Sequence, residues 1–336
     1  MGARLCRPRP TAARLASQMA AAGLRHSRAP VVTILLFHSL IVAATAVELP
    51  VPPAMTKRAI APSTNELLGT QVSLEDRGVK FTLFLPSAWT NSVSSNTTLC
   101  AHFHTVPWFA IQEHVRRGAH EPLIVFALGE GSTTYRVPFE DTNRFARIVA
   151  LTENELKQRS ASRGTHITGV DVSSFSAGYA AVRELVKSPE AFKMIRRIAL
   201  LDSMYAGLEP REKGSTNRRP LAAQTEVWVP FAKAAMRGEK TFVFTHSQVP
   251  TPSYASSRAC AEALLARLKL EAQSAEPKSS LAASDPDFPL LKRADSGRFH
   301  VWSYGGEDAQ AHLTHVRHMA DVWNALDAAE SERGAR

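Results

Sequence analysis

The heptapeptide Ser173-Ser174-Phe175-Ser176-Ala177-Gly178-Tyr179 follows an apolar run and precedes a helical pattern. A serine on a tight turn between strand and helix is held in a strained backbone conformation that lifts its hydroxyl clear of both elements, where it can act as a nucleophile. The residues two before and two after it must be small, and for Ser176 these are Ser174 and Gly178. Ser174 is a poorer nucleophile, since Val172 and Ser176 would flank it. The amide of Ala177, at the start of a helix, could donate to a developing oxyanion. The plainer alternative is that Ser173, Ser174 and Ser176 only cap the helix that follows.

A hydroxyl needs a base, and the base needs an orienting group. Three histidines, His312, His315 and His318, recur at intervals of three on the last expected helix. His312 stands at the loop-to-helix junction and is the expected base, with His315 as its rival and His318 as a surface or packing residue. Asp202 ends the apolar run Ile198-Ala199-Leu200-Leu201 and is the expected acid; otherwise it caps the next turn through a local hydrogen bond. Glu307 and Asp308 are weaker substitutes because they share the histidine's own loop. A different chemistry is also open. His102 and His104 share a strand face by their period of two and, with His312, His315 and Asp202, could surround a zinc ion. That spacing lacks a recognised signature such as His-Glu-x-x-His.

These residues need a scaffold that brings them together. Val79–Pro86 alternates apolar and polar residues and reads as the first strand. Further strands are expected at 99–106, 123–128, 167–172, 195–201, 241–245 and 299–304. Helices are expected from Pro107 to near Gly118 and at 140–157, 177–187, 227–236, 254–270 and 313–328. Residues 271–297 read as a surface excursion. The segment Ala206–Pro230, rich in Arg and Lys, reads as a solvated loop, or alternatively as a roof that biases the site towards acidic substrates. Repeated alternation of strand and helix predicts an α/β fold with a mostly parallel central sheet and helices on both faces. In such sheets the chemistry gathers at the C-terminal ends of strands, where His102, Gly129, Ser176, Asp202, His246 and Gly305 all fall.

Residues 1–46 read as a secretory signal peptide. Six arginines and no acid precede an apolar run from Val31, which ends in Ala44-Thr45-Ala46. Met19 would give a start of more typical proportions. His38 interrupts the run, so cleavage is expected rather than a retained membrane anchor. Residues 47–78 follow as an extended lead-in and 79–336 as the folded domain. The expected location is secreted or periplasmic, with membrane contact only transient during export. Removing the signal leaves 34 of the 40 basic residues against 31 acidic ones, a net charge of +3 instead of +9. The basic balance is therefore no argument for nucleic-acid binding. With Cys6 gone, Cys100 and Cys260 remain and are expected as buried free thiols.

The order of elements, the serine turn, the acid and the late histidine together resemble the α/β-hydrolase superfamily over about Val79–Leu326. The phrases Phe-Ser-Ala-Gly-Tyr, Leu-Leu-Asp-Ser and Thr-His-Ser-Gln-Val-Pro-Thr-Pro-Ser-Tyr-Ala-Ser are similar to a group of uncharacterised exported bacterial proteins of that superfamily. The resemblance implies the chain order nucleophile, acid, histidine, supplied here by Ser176, Asp202 and His312 or His315. It implies an acid after the earlier of two possible strands, since the next strand ends in His246-Ser247-Gln248 without a carboxylate. The family's glycine before the serine is Ser174 here. The His-Gly pair of its oxyanion segment is replaced by Phe103-His104, so His104 or Thr105 is left to supply the second amide. The activity implied is that of a serine esterase forming an acyl-serine intermediate on a small-molecule or polymer ester, with no cofactor. A scaffold that has lost the reaction and only binds, and a metal-dependent hydrolase, are the alternatives.

Overall fold

In a computed structural model the described residues are 49–62, 69–90, 95–159, 164–210, 218–275 and 285–334. The expected signal peptide, residues 1–46, lies outside them. Among the described residues there are ten strands: β1 (Gly69–Asp76), β2 (Val79–Pro86), β3 (Asn96–Phe103), β4 (Leu123–Phe126), β5 (His166–Phe175), β6 (Ile195–Leu201), β7 (Thr241–His246), β8 (Gln273–Ser274), β9 (Leu290–Ser296) and β10 (Phe299–Tyr304). They make one sheet in the order β1-β2-β4-β3-β5-β6-β7-β10-β9-β8. From β4 to β10 every neighbour is parallel, and antiparallel pairs flank this centre on both sides.

Successive side chains of a strand point to opposite faces, and the core divides accordingly. Ile198 and Leu200 of β6 join one cluster, Ala199 and Leu201 the other; Phe242 and Phe244 of β7 part from Val243 in the same way. The first cluster is closed by helices that include Arg144–Arg159, Tyr179–Leu185, Val229–Met236 and Ser257–Leu268. The second is closed by Pro107–Arg116, Ala309–Arg317 and Met319–Gly334. Strands covered on both faces must be apolar throughout, which is why β4 reads Leu-Ile-Val-Phe. None of the described helices is long and apolar enough to cross a membrane.

The structure departs from expectation at the sheet edges. β1 lies within the stretch expected as lead-in, and β9 within the expected surface excursion. β1 is an edge strand, and β9 is covered on its outer side only by the two-residue β8, so neither carries an apolar run; each is instead half of a hairpin. Arg77 and Gly78, with φ of 49° and 84°, form the two-residue turn that joins β1 to β2. Met55 is fully buried, its carbonyl accepts from the Asp285 amide at 3.1 Å, and the Tyr304 hydroxyl donates to Pro53 O at 2.9 Å. The segment before β1 is thus packed onto the domain, and Ala46–Arg336 is one compact unit.

Three helical segments also differ. The last helix is two, broken at His318, whose φ of −110° ends Ala309–Arg317. A helix at Ser132–Phe139 precedes Arg144–Arg159, where one was expected from Glu140. In the Arg/Lys-rich segment, bridges pair Ala206 with Ala255 and Leu208 with Pro220, and Trp228 is fully buried, so its described part is packed. Cys100 and Cys260 are both free and buried.

Candidate active site

β5 runs to Phe175, past the expected end at Val172, and the chain turns at Ser176 into a short 3-10 turn, Ser176–Gly178, and the helix Tyr179–Leu185. Ser176 has φ +46°, a left-handed value that costs a non-glycine residue on the order of 1–3 kcal/mol and persists only where the surroundings enforce it. Gly178 shows what enforces it. A Cβ there would stand 2.4 Å from the carbonyl oxygen of Phe103, so the end of β3 presses directly on the turn. Ser174 is fully buried, and its hydroxyl lies 2.8 Å from that of Ser203. Ser203 gives its own proton to the carbonyl of Ser176 at 2.9 Å, so Ser174 must be the donor of that pair. The serine in place of the family's glycine thus ties the turn to the end of β6. Ser176 itself is half-buried.

Asp202, one residue past β6, also takes a left-handed φ, +44°, and is fully buried. Its Oδ2 accepts from His312 Nδ1 at 2.8 Å and from the Ser247 hydroxyl at 2.6 Å; Oδ1 accepts from the Ser247 amide at 3.3 Å and from the Ser257 hydroxyl. Burial alone would push this carboxyl up, but the hydrogen bond from His312, the charges of His315 and His312, and the Ser247 hydroxyl outweigh it and hold it well below the usual carboxylate range. An acceptor-only carboxylate fixes the histidine tautomer: Nδ1 carries the hydrogen and Nε2 keeps its lone pair. Asp308 caps the helix Ala309–Arg317 by accepting from the Ala311 amide at 2.8 Å, which sets His312 in the first turn. The imidazole stacks on the ring of Phe175, the residue before Ser176, with centroids 4.5 Å apart. On the other side, the Tyr205 hydroxyl donates to Asp202 O at 3.0 Å.

The segment His104-Thr105 is the one expected to supply the second oxyanion amide. The amide of His104 donates to Phe126 O at 3.1 Å, which commits it to the sheet. His104 itself turns left-handed, with φ +70°; its ring packs on Phe175 at 6.0 Å and its Nδ1 meets the Tyr135 hydroxyl at 3.1 Å. The amides of Thr105 and of Ala177, in the first turn after β5, are the ones left to donate.

The remaining histidines go elsewhere. His315 is buried with Nδ1 2.8 Å from Thr245 Oγ1, and burial pushes it down to about 4. His318 gives Nδ1–H to Asp321 at 2.7 Å and meets Thr56 through Nε2 at 3.1 Å, tying the N-terminal segment to the last helices. His102 is fully buried, pairs with Ser173 at 2.8 Å, and is pushed by burial, with a smaller effect of His104, down to about 3. This second serine–histidine pair is an interior one, at 0% and 4% exposure, out of reach of a substrate. The zinc alternative rested on period-two alternation through His102 and His104. β3 ends at Phe103 and His104 turns left-handed, so the alternation stops there. Among the described residues no three His, Cys, Asp or Glu side chains gather as a metal site.

Phe175, Ser203, Tyr205, Ser247 and Ser257 complete the site without having been singled out from sequence. Ser203 and Ser247 stand at strand ends, which was their one visible signal; Ser257 and Tyr205 gave none.

Neither a protein-family model nor a curated protein matches the sequence. Solved structures do. Poly(aspartic acid) hydrolase-1 from Sphingomonas sp. KT-1 is 12% identical over 76% of this chain and 98% of its own, with a TM-score of 0.45. A feruloyl esterase module from Clostridium thermocellum is 10% identical over 83% and 96%, with a TM-score of 0.45. The siderophore hydrolase EstB from Aspergillus nidulans is 11% identical over 79% and 96%, with a TM-score of 0.43. By the order and direction of its own strands, and by the strand-turn-helix at Ser176, the chain has the α/β-hydrolase architecture.

Proposed function

We propose that the chain is an exported serine hydrolase that cleaves an ester, with an amide as the second choice of substrate, through an acyl-serine intermediate. The observation that carries this reading is the Asp202–His312 pair, at 2.8 Å, stacked against the residue that precedes a left-handed Ser176. His312 Nε2 takes the proton of Ser176 Oγ as that oxygen adds to the ester carbonyl. The carbonyl oxygen becomes an oxyanion held by the amides of Ala177 and Thr105. His312 then returns the proton to the leaving alkoxide, and water repeats the sequence on the acyl-serine. Asp202 stays ionised and holds the imidazolium that forms. The substrate is a small-molecule or polymer ester met outside the cytoplasm after removal of residues 1–46; nucleic acid is no partner, and the membrane is met only in transit.

A fluorophosphonate probe tests the reading directly. Folded wild-type protein is expected to take the label and Ser176→Ala to refuse it while melting at a similar temperature. A folded wild-type protein that stays unlabelled and inactive on a panel of chromogenic esters would favour a scaffold kept for binding.

A further inference from the structure

We infer that the side-chain hydroxyl of Thr105 is a third donor to the substrate's oxyanion, an inference that rests on the hydrolase reading above. In the parallel pairing of β3 with β5, Phe103 stands beside Ser174. Past that pair both chains leave their strands, β3 at Phe103 and β5 at Phe175, so Thr105 and Ser176 lie in adjacent turns at the same rim of the sheet. The ring of His104 packs on that of Phe175 and the Phe103 carbonyl presses on the position of Gly178, which holds the two turns against one another.

The second observation is the hydroxyl itself. Thr105 Oγ1 is buried and has no hydrogen-bond partner among the described residues. It does not cap the adjacent helix Pro107–Arg116, which has Val106 at the cap and no side-chain cap bond. Threonine hydroxyls at such a place ordinarily turn to a nearby backbone group. An unpaired hydroxyl out of water is a standing cost to the fold, and the neighbouring Val106 is 51% exposed, so this orphan sits just beneath the surface beside the nucleophile.

Such a group finds its partner when a substrate carbonyl enters. As Ser176 Oγ adds to the carbonyl carbon, the π electrons move onto oxygen. The Thr105 O–H then donates to a full negative charge instead of a bond dipole, with no proton changing owner. Hydrogen bonds to ions are shorter and stronger than neutral ones, so the contact gains strength in the transition state.

The full chain as secreted is the material for the test, with Thr105→Val as isostere and Thr105→Ser as the variant that keeps the hydroxyl. On a chromogenic acetate ester, Thr105→Val is expected to lose about 100-fold in kcat with little change in KM, as removal of one oxyanion donor does elsewhere. Its melting temperature should hold or rise, because a methyl replaces an unpaired hydroxyl. Inhibition by an alkyl boronic acid should weaken in parallel, and Thr105→Ser should stay within about threefold of wild type on every measure. A Thr105→Val enzyme within about threefold of wild-type kcat overturns the inference while leaving the hydrolase reading intact. So does a Thr105→Val loss that follows a lowered melting temperature and is shared by Thr105→Ser. A wild-type protein that neither hydrolyses the ester nor takes a fluorophosphonate overturns the hydrolase reading, and this inference with it.

Discussion

His312 Nδ1 and Asp202 Oδ2, 110 residues apart in the chain, stand 2.8 Å from one another, and every other contact of that carboxylate is also a donated hydrogen. Such a site admits only an ionised acceptor, and that is what keeps the lone pair of His312 on Nε2. Asp202→Asn places an amide group where only acceptors fit and lets the imidazole adopt the other tautomer. The expected outcome is a fall in kcat of about 10⁴-fold on an ester substrate, with fluorophosphonate labelling slowed in proportion. Rates within tenfold of wild type would mean that the carboxylate serves the fold alone.

The hydroxyls of Ser174 and Ser203 make a chain with a direction, from Ser174 to Ser203 to the carbonyl of Ser176. Ser203→Ala strands two buried partners at once, whereas Ser174→Ala leaves only a lone pair on Ser203 unfilled. The cost of an unsatisfied buried polar group is about 1–3 kcal/mol. Ser203→Ala should therefore lower stability in urea more than Ser174→Ala, and should also slow labelling of Ser176 by loosening its backbone. Equal effects of the two substitutions would break the proposed order of donors.

Burial on both faces made the central parallel strands legible as apolar runs, and its absence hid β1 and β9. β6, covered on both faces over its second half, shows in the sequence through the apolar run Ile198-Ala199-Leu200-Leu201, and its expected bounds, 195–201, are those found in the structure. β9, Leu-Leu-Lys-Arg-Ala-Asp-Ser, buries only Ala294 and is held by its hairpin with β10, a long-range pairing that leaves no local pattern. The same limit applies at the site. Ser176, Asp202 and His312 stand out because chemistry restricts their types. Their supports, Ser257 and Tyr205, have ordinary types in ordinary surroundings; Tyr205 reaches Asp202 from three residues along the chain, and only the fold brings Ser257 there. Serine in β5 misled in a further way: Ser173 and Ser174 look like a turn, yet both are strand residues whose hydroxyls are satisfied across the sheet.

Interior histidines, His102, His114, His246 and His315, make stability depend on pH in the range where most proteins are steady. Burial pushes His102 down to about 3 and His114 and His315 down to about 4, from the usual histidine value of about 6.5. Between the two limits the unfolded chain binds protons that the folded chain refuses, so stability falls as pH falls. The loss begins near pH 6.5 and is complete for each residue near its folded value. At about 1.4 kcal/mol per pH unit, His315 alone accounts for a loss on the order of 3 kcal/mol by pH 4. Asp202 works the opposite edge of the same range. Its depressed value gives stability that is whole above about pH 4 and is lost only as pH falls further, through its folded value. Urea melts of wild type are expected to weaken steadily from pH 6.5 to 4. His315→Gln, which keeps a polar contact near Thr245 without titrating, should flatten that decline even if it lowers stability at pH 7. A variant with the wild-type slope would show that His315 takes up its proton in the folded protein as readily as in the unfolded chain.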